Sequence, residues 1–286
     1  MNSRITSTLS HTTSHGAGCN TIRVRNLIAR PIAQALALMV LGGAAAWADD
    51  DEARLFSELD QRLWRERFSD RGAGDWKKNW FLDGDSAEVS ADDSGMTIDA
   101  TNGYAVLWTK EVFEGDVRIE YDFQRLDSYN RGVNIIYIQA IGDGEDGHAV
   151  DITKWSEERS EAAMSDYFNN MHAYHISYAA FDLRQGFEYV RARRYMPLAG
   201  RRLDGTQLSG EYRDTGLFDK PGSWIRVTVI KTARDLLVRF VHPEETLVCR
   251  FKNEDKPPIE GGRIGLRLMP GRKSLFKNFR VSTSSD

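Results

Sequence analysis

Residues 172–195, HAYHISYAAFDLRQGFEYVRARRY, hold an unusual concentration of side chains able to move protons and bind anions. The stretch reads as two strands joined by a turn at Arg184-Gln185-Gly186. In the first, Tyr174, Ile176 and Tyr178 alternate with His175, Ser177 and Ala179. In the second, Val190 and Ala192 alternate with Tyr189, Arg191, Arg193 and Tyr195. Successive side chains of a strand point to opposite faces, so each strand separates a core face from a polar one. One hairpin thereby presents His175, Ser177, Tyr189, Arg191 and Arg193, with Tyr178 as a further phenol. Imidazole and phenol groups transfer protons when their surroundings tune them, and a guanidinium grips a carboxylate through two parallel hydrogen bonds. The same pattern fits a solvated face with ordinary arginines, so the cluster, not any one member, points to a site. The run 132–141 sets Asn134, Ile136 and Ile138 opposite Val133, Ile135, Tyr137 and Gln139. It can lend Asn134, Tyr137 or Gln139 to the same chemistry.

Two other groupings compete. Glu120 and Asp122 sit two residues apart on one strand, placing their attachment points about 6.6 Å apart. The carboxyls then fall near either separation used in glycoside hydrolysis. Arg118 beside them favours a surface ion-pair row, and Glu188 is a spare carboxylate on the hairpin. Asp143, Glu145, Asp146 and Asp151 supply oxygen ligands for a structural calcium ion, but without the spacing of a twelve-residue calcium loop, so a solvated acidic turn is favoured. No other cofactor is expected. Nucleophile-elbow, phosphate-loop, H-E-x-x-H and Cys/His zinc patterns are absent from the sequence.

The elements that must position these groups begin after a leader. Arg4, Arg23, Arg25 and Arg30 precede an apolar run, no acidic residue occurs before Asp49, and Ala46-Trp47-Ala48 fits a cleavage site. The apolar run is shorter than the ~20 residues that span a membrane, so residues 1–48 read as a signal peptide. The expected protein is periplasmic or secreted, with one domain over 49–286 and no membrane span. Without the leader, 34 Lys+Arg stand against 42 Asp+Glu, a net charge of about −8. Such a chain exerts no general pull on nucleic acid or anionic lipid. Residues 52–67 and 154–170 read as short helices. Alternating runs at 116–124, 132–141, 173–183, 187–195, 224–231, 236–241, 262–268 and 275–282 read as strands, and 197–215 as a polar loop. Many short strands with few helices indicate a sandwich or jelly roll.

Three phrases carry a resemblance: DW..NW..DG near the start, FEGDVRIEYDF, and the ending GGRIGLRLMPGRKSLFKNFRVS. They resemble concanavalin-A-like lectin and glucanase jelly rolls. YFNNMHAYHISYAAF, RARRYMP and DTGLFDKPGSWIRV more narrowly resemble the YesU-like family, a domain of unknown function. The resemblance implies an all-β sandwich of two antiparallel sheets whose concave face binds carbohydrate. It brings no catalytic residues, and the E-x-D-x-x-E signature of the glucanases is absent. With a carbohydrate in view, the hairpin suits β-elimination on a uronate polymer. Arginine or an amide neutralises the sugar carboxylate, while a histidine or tyrosine moves the proton. A glycoside hydrolase using Glu120, Asp122 or Glu188, and a binding protein without catalysis, are the alternatives.

Overall fold

The computed structural model describes residues 43–197 and 202–284, with side chains from residue 51 onward. A helix, α1 (Gly43–Asp60), precedes sixteen strands. The first six are β1 (Trp64–Asp70), β2 (Trp80–Asp83), β3 (Glu88–Asp92), β4 (Gly95–Ala100), β5 (Ala105–Thr109) and β6 (Phe113–Glu114). Then come β7 (Val117–Arg125) and β8 (Gly132–Gly142), followed by an insertion made of a 3₁₀ segment (Ile152–Arg159) and α2 (Met164–Asn170). β9 (Met171–Phe181) and β10 (Glu188–Tyr195) form the hairpin. The remaining strands are β11 (Gln207–Arg213), β12 (Trp224–Lys231), β13 (Asp235–Val241), β14 (Thr246–Lys252), β15 (Gly261–Leu268) and β16 (Arg272–Ser284).

All pairings are antiparallel, and they run in two blocks. Sheet I has the order β2-β5-β15-β8-β9-β10-β11, and sheet II the order β14-β13-β12-β7-β16-β4-β3. A single paired position, Ser209 with Lys252, joins them. The alternation of β7 explains the layering: Val117, Ile119, Tyr121 and Phe123 are fully buried, while Arg118, Glu120, Asp122 and Gln124 face outward. Ile136, Ile176, Leu266 and Val227 meet them between the sheets, as their periodicity requires. The all-β two-sheet architecture read from the strand pattern is the one observed.

Each outer face carries a cover. Phe56 and Leu59 of α1 pack on Ile230 and Leu237 of sheet II. The insertion packs Ile152, Trp155, Ala162, Tyr167 and Phe168 onto Val106, Trp108, Ile135 and Tyr137 of sheet I. Three boundaries differ from the sequence reading. The helix expected at 52–67 stops at Asp60, because Trp64 folds back to donate its indole N–H to Leu59 O at 3.0 Å and β1 then pairs with β16. The helix expected at 154–170 breaks at Ala162, which adopts φ 48°, and only its second half is α-helical. The polar loop expected at 197–215 contains β11, whose Gly210 (φ 102°) lies against Arg250 O, where a Cβ would come within 2.7 Å. Residues 1–42 of the expected leader lie outside the described residues, while Gly43–Ala48 belong to α1. Among the described residues, no helix is long and apolar enough to cross a membrane.

Candidate functional site

The hairpin turn forms as the sequence indicates. Asp182 accepts the amides of Arg184 and Gln185 through its side chain, at 2.9 and 2.7 Å, and Gly186 takes φ 74°. Its register sets His175 opposite Arg193 and Ser177 opposite Arg191, and across β9 Tyr137 lies opposite His175. One cross-strand row on the outer face of sheet I therefore runs Trp108, Gly265, Tyr137, His175, Arg193. Gly265 is required here, since a Cβ would lie 2.5 Å from the Trp108 ring. The indole instead crosses the gap and stacks on Tyr137, 5.3 Å between centroids at 18°. The neighbouring row runs Val106, Arg267, Ile135, Ser177, Arg191, Glu211.

His175 is 1% exposed, so the polar face is not the solvated surface that its alternation suggests. Its Nδ1 lies 2.7 Å from the Tyr195 hydroxyl and its Nε2 2.8 Å from Ser177 Oγ. Hydroxyls both donate and accept, so either neutral tautomer is satisfied. Burial, reinforced by Arg193, Arg267 and Arg191, holds the imidazole well below its ordinary range, and it stays neutral at neutral pH.

The arginines divide by partner. Arg191 is committed: its Nε donates to Glu211 Oε1 at 3.0 Å, Arg213 shares the same carboxylate, and its guanidinium lies 4.5 Å from the Tyr189 ring. Arg193 meets only neutral acceptors, Thr206 Oγ1 at 3.1 Å and Leu203 O at 3.4 Å. Burial disfavours its charge. Arg267, fully buried, donates to Ala162 O at 2.9 Å, while its Nε and Nη1 have no partner. Sequence reasoning missed Arg267; the signal was GRIGLRL, where alternation puts arginines on one face of β15. Tyr189, half-buried beside Arg191 and Arg193, is the phenol of the hairpin that reaches solvent. Burial raises its pKa and the two cations oppose the rise.

The other named residues lie elsewhere. Tyr178 is in the core between the sheets, its ring 5.1 Å from Phe123 and 5.9 Å from Phe240, so it is not part of the cluster. Asn134 also faces the core and donates to Ser274 Oγ at 2.8 Å. Gln139 occupies a bulge at φ 53° and donates to Phe113 O and Gly115 O, at 3.0 and 2.9 Å, near the β6–β7 turn. Glu120 and Asp122 lie on the outer face of sheet II, bound to Arg118 and Arg226. They form the ion-pair row, on the opposite side of the sandwich from the hairpin cluster. Glu188 is 3% exposed and accepts from Thr215 Oγ1 at 2.7 Å and from the Gly216 amide at 2.8 Å. Burial raises its pKa to about 7, with Asp219 and Asp214 adding to the effect. Of the acidic turn, Asp151 is bound to Arg263 at 3.0 Å and Asp143 caps the Glu145 amide at 3.0 Å. Among the described residues, no three His, Cys, Asp or Glu side chains converge as metal ligands.

Two packed antiparallel sheets make a jelly-roll sandwich, and solved structures share that fold. A protein of unknown function with galectin-like fold from Bacillus subtilis aligns over 78% of this chain and 100% of its own, at 19% identity and TM-score 0.60. The VIP36 exoplasmic/lumenal domain in its Ca2+/Man3GlcNAc-bound form covers 78% and 92%, at 11% identity and TM-score 0.51. Lectin I-B4 from Griffonia simplicifolia, metal-free, covers 74% and 97%, at 12% identity and TM-score 0.50. No curated protein matches. Residues 64–281 match DUF1961, a domain of unknown function, and the chain belongs to that family.

Proposed function

We propose that this chain is an exported protein that binds uronate-containing polysaccharide on the outer face of sheet I and cleaves it by β-elimination. The observation that carries the reading is Arg193, a largely buried guanidinium with no carboxylate partner among the described residues, set opposite a neutral His175 and beside the half-exposed Tyr189. A buried cation is costly unless paired, so an acidic ligand is the natural complement. The jelly roll supports a carbohydrate, since the VIP36 domain of the same fold was solved with Man3GlcNAc. The narrower YesU-like resemblance belongs to the same reading.

In the proposed reaction, Arg193 holds the sugar carboxylate and stabilises the negative charge that develops there when the C5 proton leaves. Tyr189 acts as the phenolate, which Arg191 and Arg193 beside it favour against burial. It takes the C5 proton, the C–H electron pair forms the C4=C5 double bond, and the C4–oxygen bond breaks. The Tyr189 hydroxyl then passes the same proton to the departing oxygen, regenerating the phenolate. No water is consumed. His175, closed off from solvent, positions Tyr195 and Ser177 and keeps a second positive charge away from Arg193. Arg191 fixes the edge of the site through Glu211. The leader at 1–48 accounts for export to where such polymers occur, with cleavage after Ala48.

No observation favours the hydrolase, because Glu120, Asp122 and Glu188 are already bound to partners away from this face. Closure of His175 favours a second reading, carbohydrate binding without catalysis. The test is Tyr189→Phe and Arg193→Lys, checked for folding and assayed on acidic polymers. Loss of elimination with retained binding in Tyr189→Phe supports the lyase. Full activity in both variants removes it.

A further inference from the structure

Strands β10 and β11 set four side chains into a square on the outer face of sheet I. Across the two strands Tyr189 pairs with Arg213, and Arg191 pairs with Glu211. Glu211 holds both arginines. Arg191 Nε donates to its Oε1 at 3.0 Å, Arg191 Nη2 donates to the same oxygen, and Arg213 Nη2 donates to its Oε2 at 3.0 Å. So anchored, the Arg191 guanidinium lies 4.5 Å from the Tyr189 ring, close enough for a cation–π contact. Arg213 lies 4.5 Å from the Phe187 ring, which meets Tyr189 edge-on at 6.1 Å. The five side chains close a ring around one carboxylate.

The charges facing the Tyr189 phenol come from three places. Burial favours the neutral phenol; Arg191 and Arg193 on its own strand favour the phenolate, and Asp182 at the hairpin turn and Glu211 on β11 oppose them. Arg213, exposed and directly across from Tyr189, is the remaining cation. Burial works against ionisation of Glu211, but the hydrogen bonds from Arg191 and Arg213 hold its pKa below the ordinary carboxylate range. The Arg191 and Glu211 side chains are only 19% and 18% exposed, so water screens their charges in part. Glu211 therefore acts in two opposed ways: it seats the cation that favours the phenolate, and it offsets part of that cation's charge.

We propose that Glu211 is a positioning residue that sets the pH at which Tyr189 becomes the base, acting through Arg191 and balanced by Arg213. The inference rests on the elimination reading, in which Tyr189 takes the proton. Removing the negative charge of Glu211 while keeping an acceptor for Arg191 eases ionisation of Tyr189. Removing Arg191 hinders it. Removing Arg213 together with the charge of Glu211 brings it back toward its starting point.

The test is a fluorine NMR titration of protein carrying difluorotyrosine, whose more acidic phenol ionises at lower pH than that of tyrosine. The signal of residue 189 is identified by its loss in Tyr189→Phe. At a fixed pH, Glu211→Gln is expected to raise the phenolate fraction of Tyr189 about threefold, and Arg191→Gln to lower it about tenfold, the scale of one charge in contact. Arg213→Gln added to Glu211→Gln should reverse most of the first change, as a coupled charge pair does. A purely structural Glu211 would leave the phenol where it is, so no change in Glu211→Gln, or a fall, would overturn the proposal. If Glu211→Gln fails to fold, the exposed Arg213→Gln decides alone: it leaves Glu211 less compensated, so the phenolate fraction should fall, and an unchanged fraction contradicts the proposal. The rise of kcat/KM with pH on a uronate polymer should move with the phenol in each variant. A rate profile that stays fixed while the phenol titration moves, or a polymer left uncleaved by the wild type, would overturn the elimination reading and not the charge balance at Tyr189.

Discussion

Arg193 and Glu188 show how burial turns ordinary surface residue types into sensitive groups. Arg193 keeps its charge among neutral acceptors, so its value lies in the fork it can offer a carboxylate. Arg193→Lys preserves the charge but not the fork. It should weaken binding of a uronate tetrasaccharide by about tenfold or more, corresponding to about 1.4 kcal/mol, while leaving thermal stability nearly unchanged; calorimetric titration measures the first. Glu188 makes a prediction of opposite character. Its pKa is raised to about 7 by burial, so the folded state holds a proton that the unfolded chain releases near 4.5. A raised acid pKa stabilises the fold only while the group is protonated. Stability should therefore fall as pH rises from about 4.5 through 7 and level off above, by at most about 3 kcal/mol. Glu188→Gln should flatten that slope in urea titrations run across this window.

The strands and their faces were legible wherever a residue's environment depends on its own strand. The parity of 132–141 separated Ile136 and Ile138, which lie between the sheets, from Tyr137, which faces outward. Ile176 is fully buried among both sheets, and Ile176→Ala should cost about 2–5 kcal/mol in chemical denaturation. What was illegible came from other elements. The insertion buries a face that alternation alone marks as solvated. Glu211, which neutralises Arg191, arrives on β11, a strand hidden in a Gly- and Arg-rich stretch. Arg267 joins the site from β15, more than seventy residues after Arg193. Gln139 sits at a bulge, where positive φ interrupts the alternation that would have kept it beside Tyr137. Tyr178 was named for its chemistry although its parity placed it with Ile176, and parity decided where it lies.

At the scale of the molecule, residues 49–286 carry a net charge of about −8, yet the proposed site is basic. The long-range field repels an acidic polymer while the contact region attracts it. Salt screens the distant repulsion first, because the Debye length shrinks from about 30 Å at 0.01 M to about 8 Å at 0.15 M ionic strength. The association rate of a uronate oligosaccharide should therefore rise with added salt over this range, the reverse of a uniformly basic binder, and stopped-flow fluorescence would follow it. Helix α1 bears on the proposed export. Phe56, Leu59 and Asp60, which dock on sheet II, all follow Ala48, so cleavage there leaves the docked part of the helix intact. Intact-mass analysis of protein from the native compartment should find Asp49 first.

The central claim is elimination on an acidic sugar. Its most direct measurement is ultraviolet absorbance during incubation of the protein, freed of residues 1–48, with a panel of uronate and neutral polysaccharides. Growth of the unsaturated-sugar band on at least one uronate polymer, absent on neutral ones and lost in Tyr189→Phe, is the predicted result. New reducing ends without that band, or binding with neither, would contradict it.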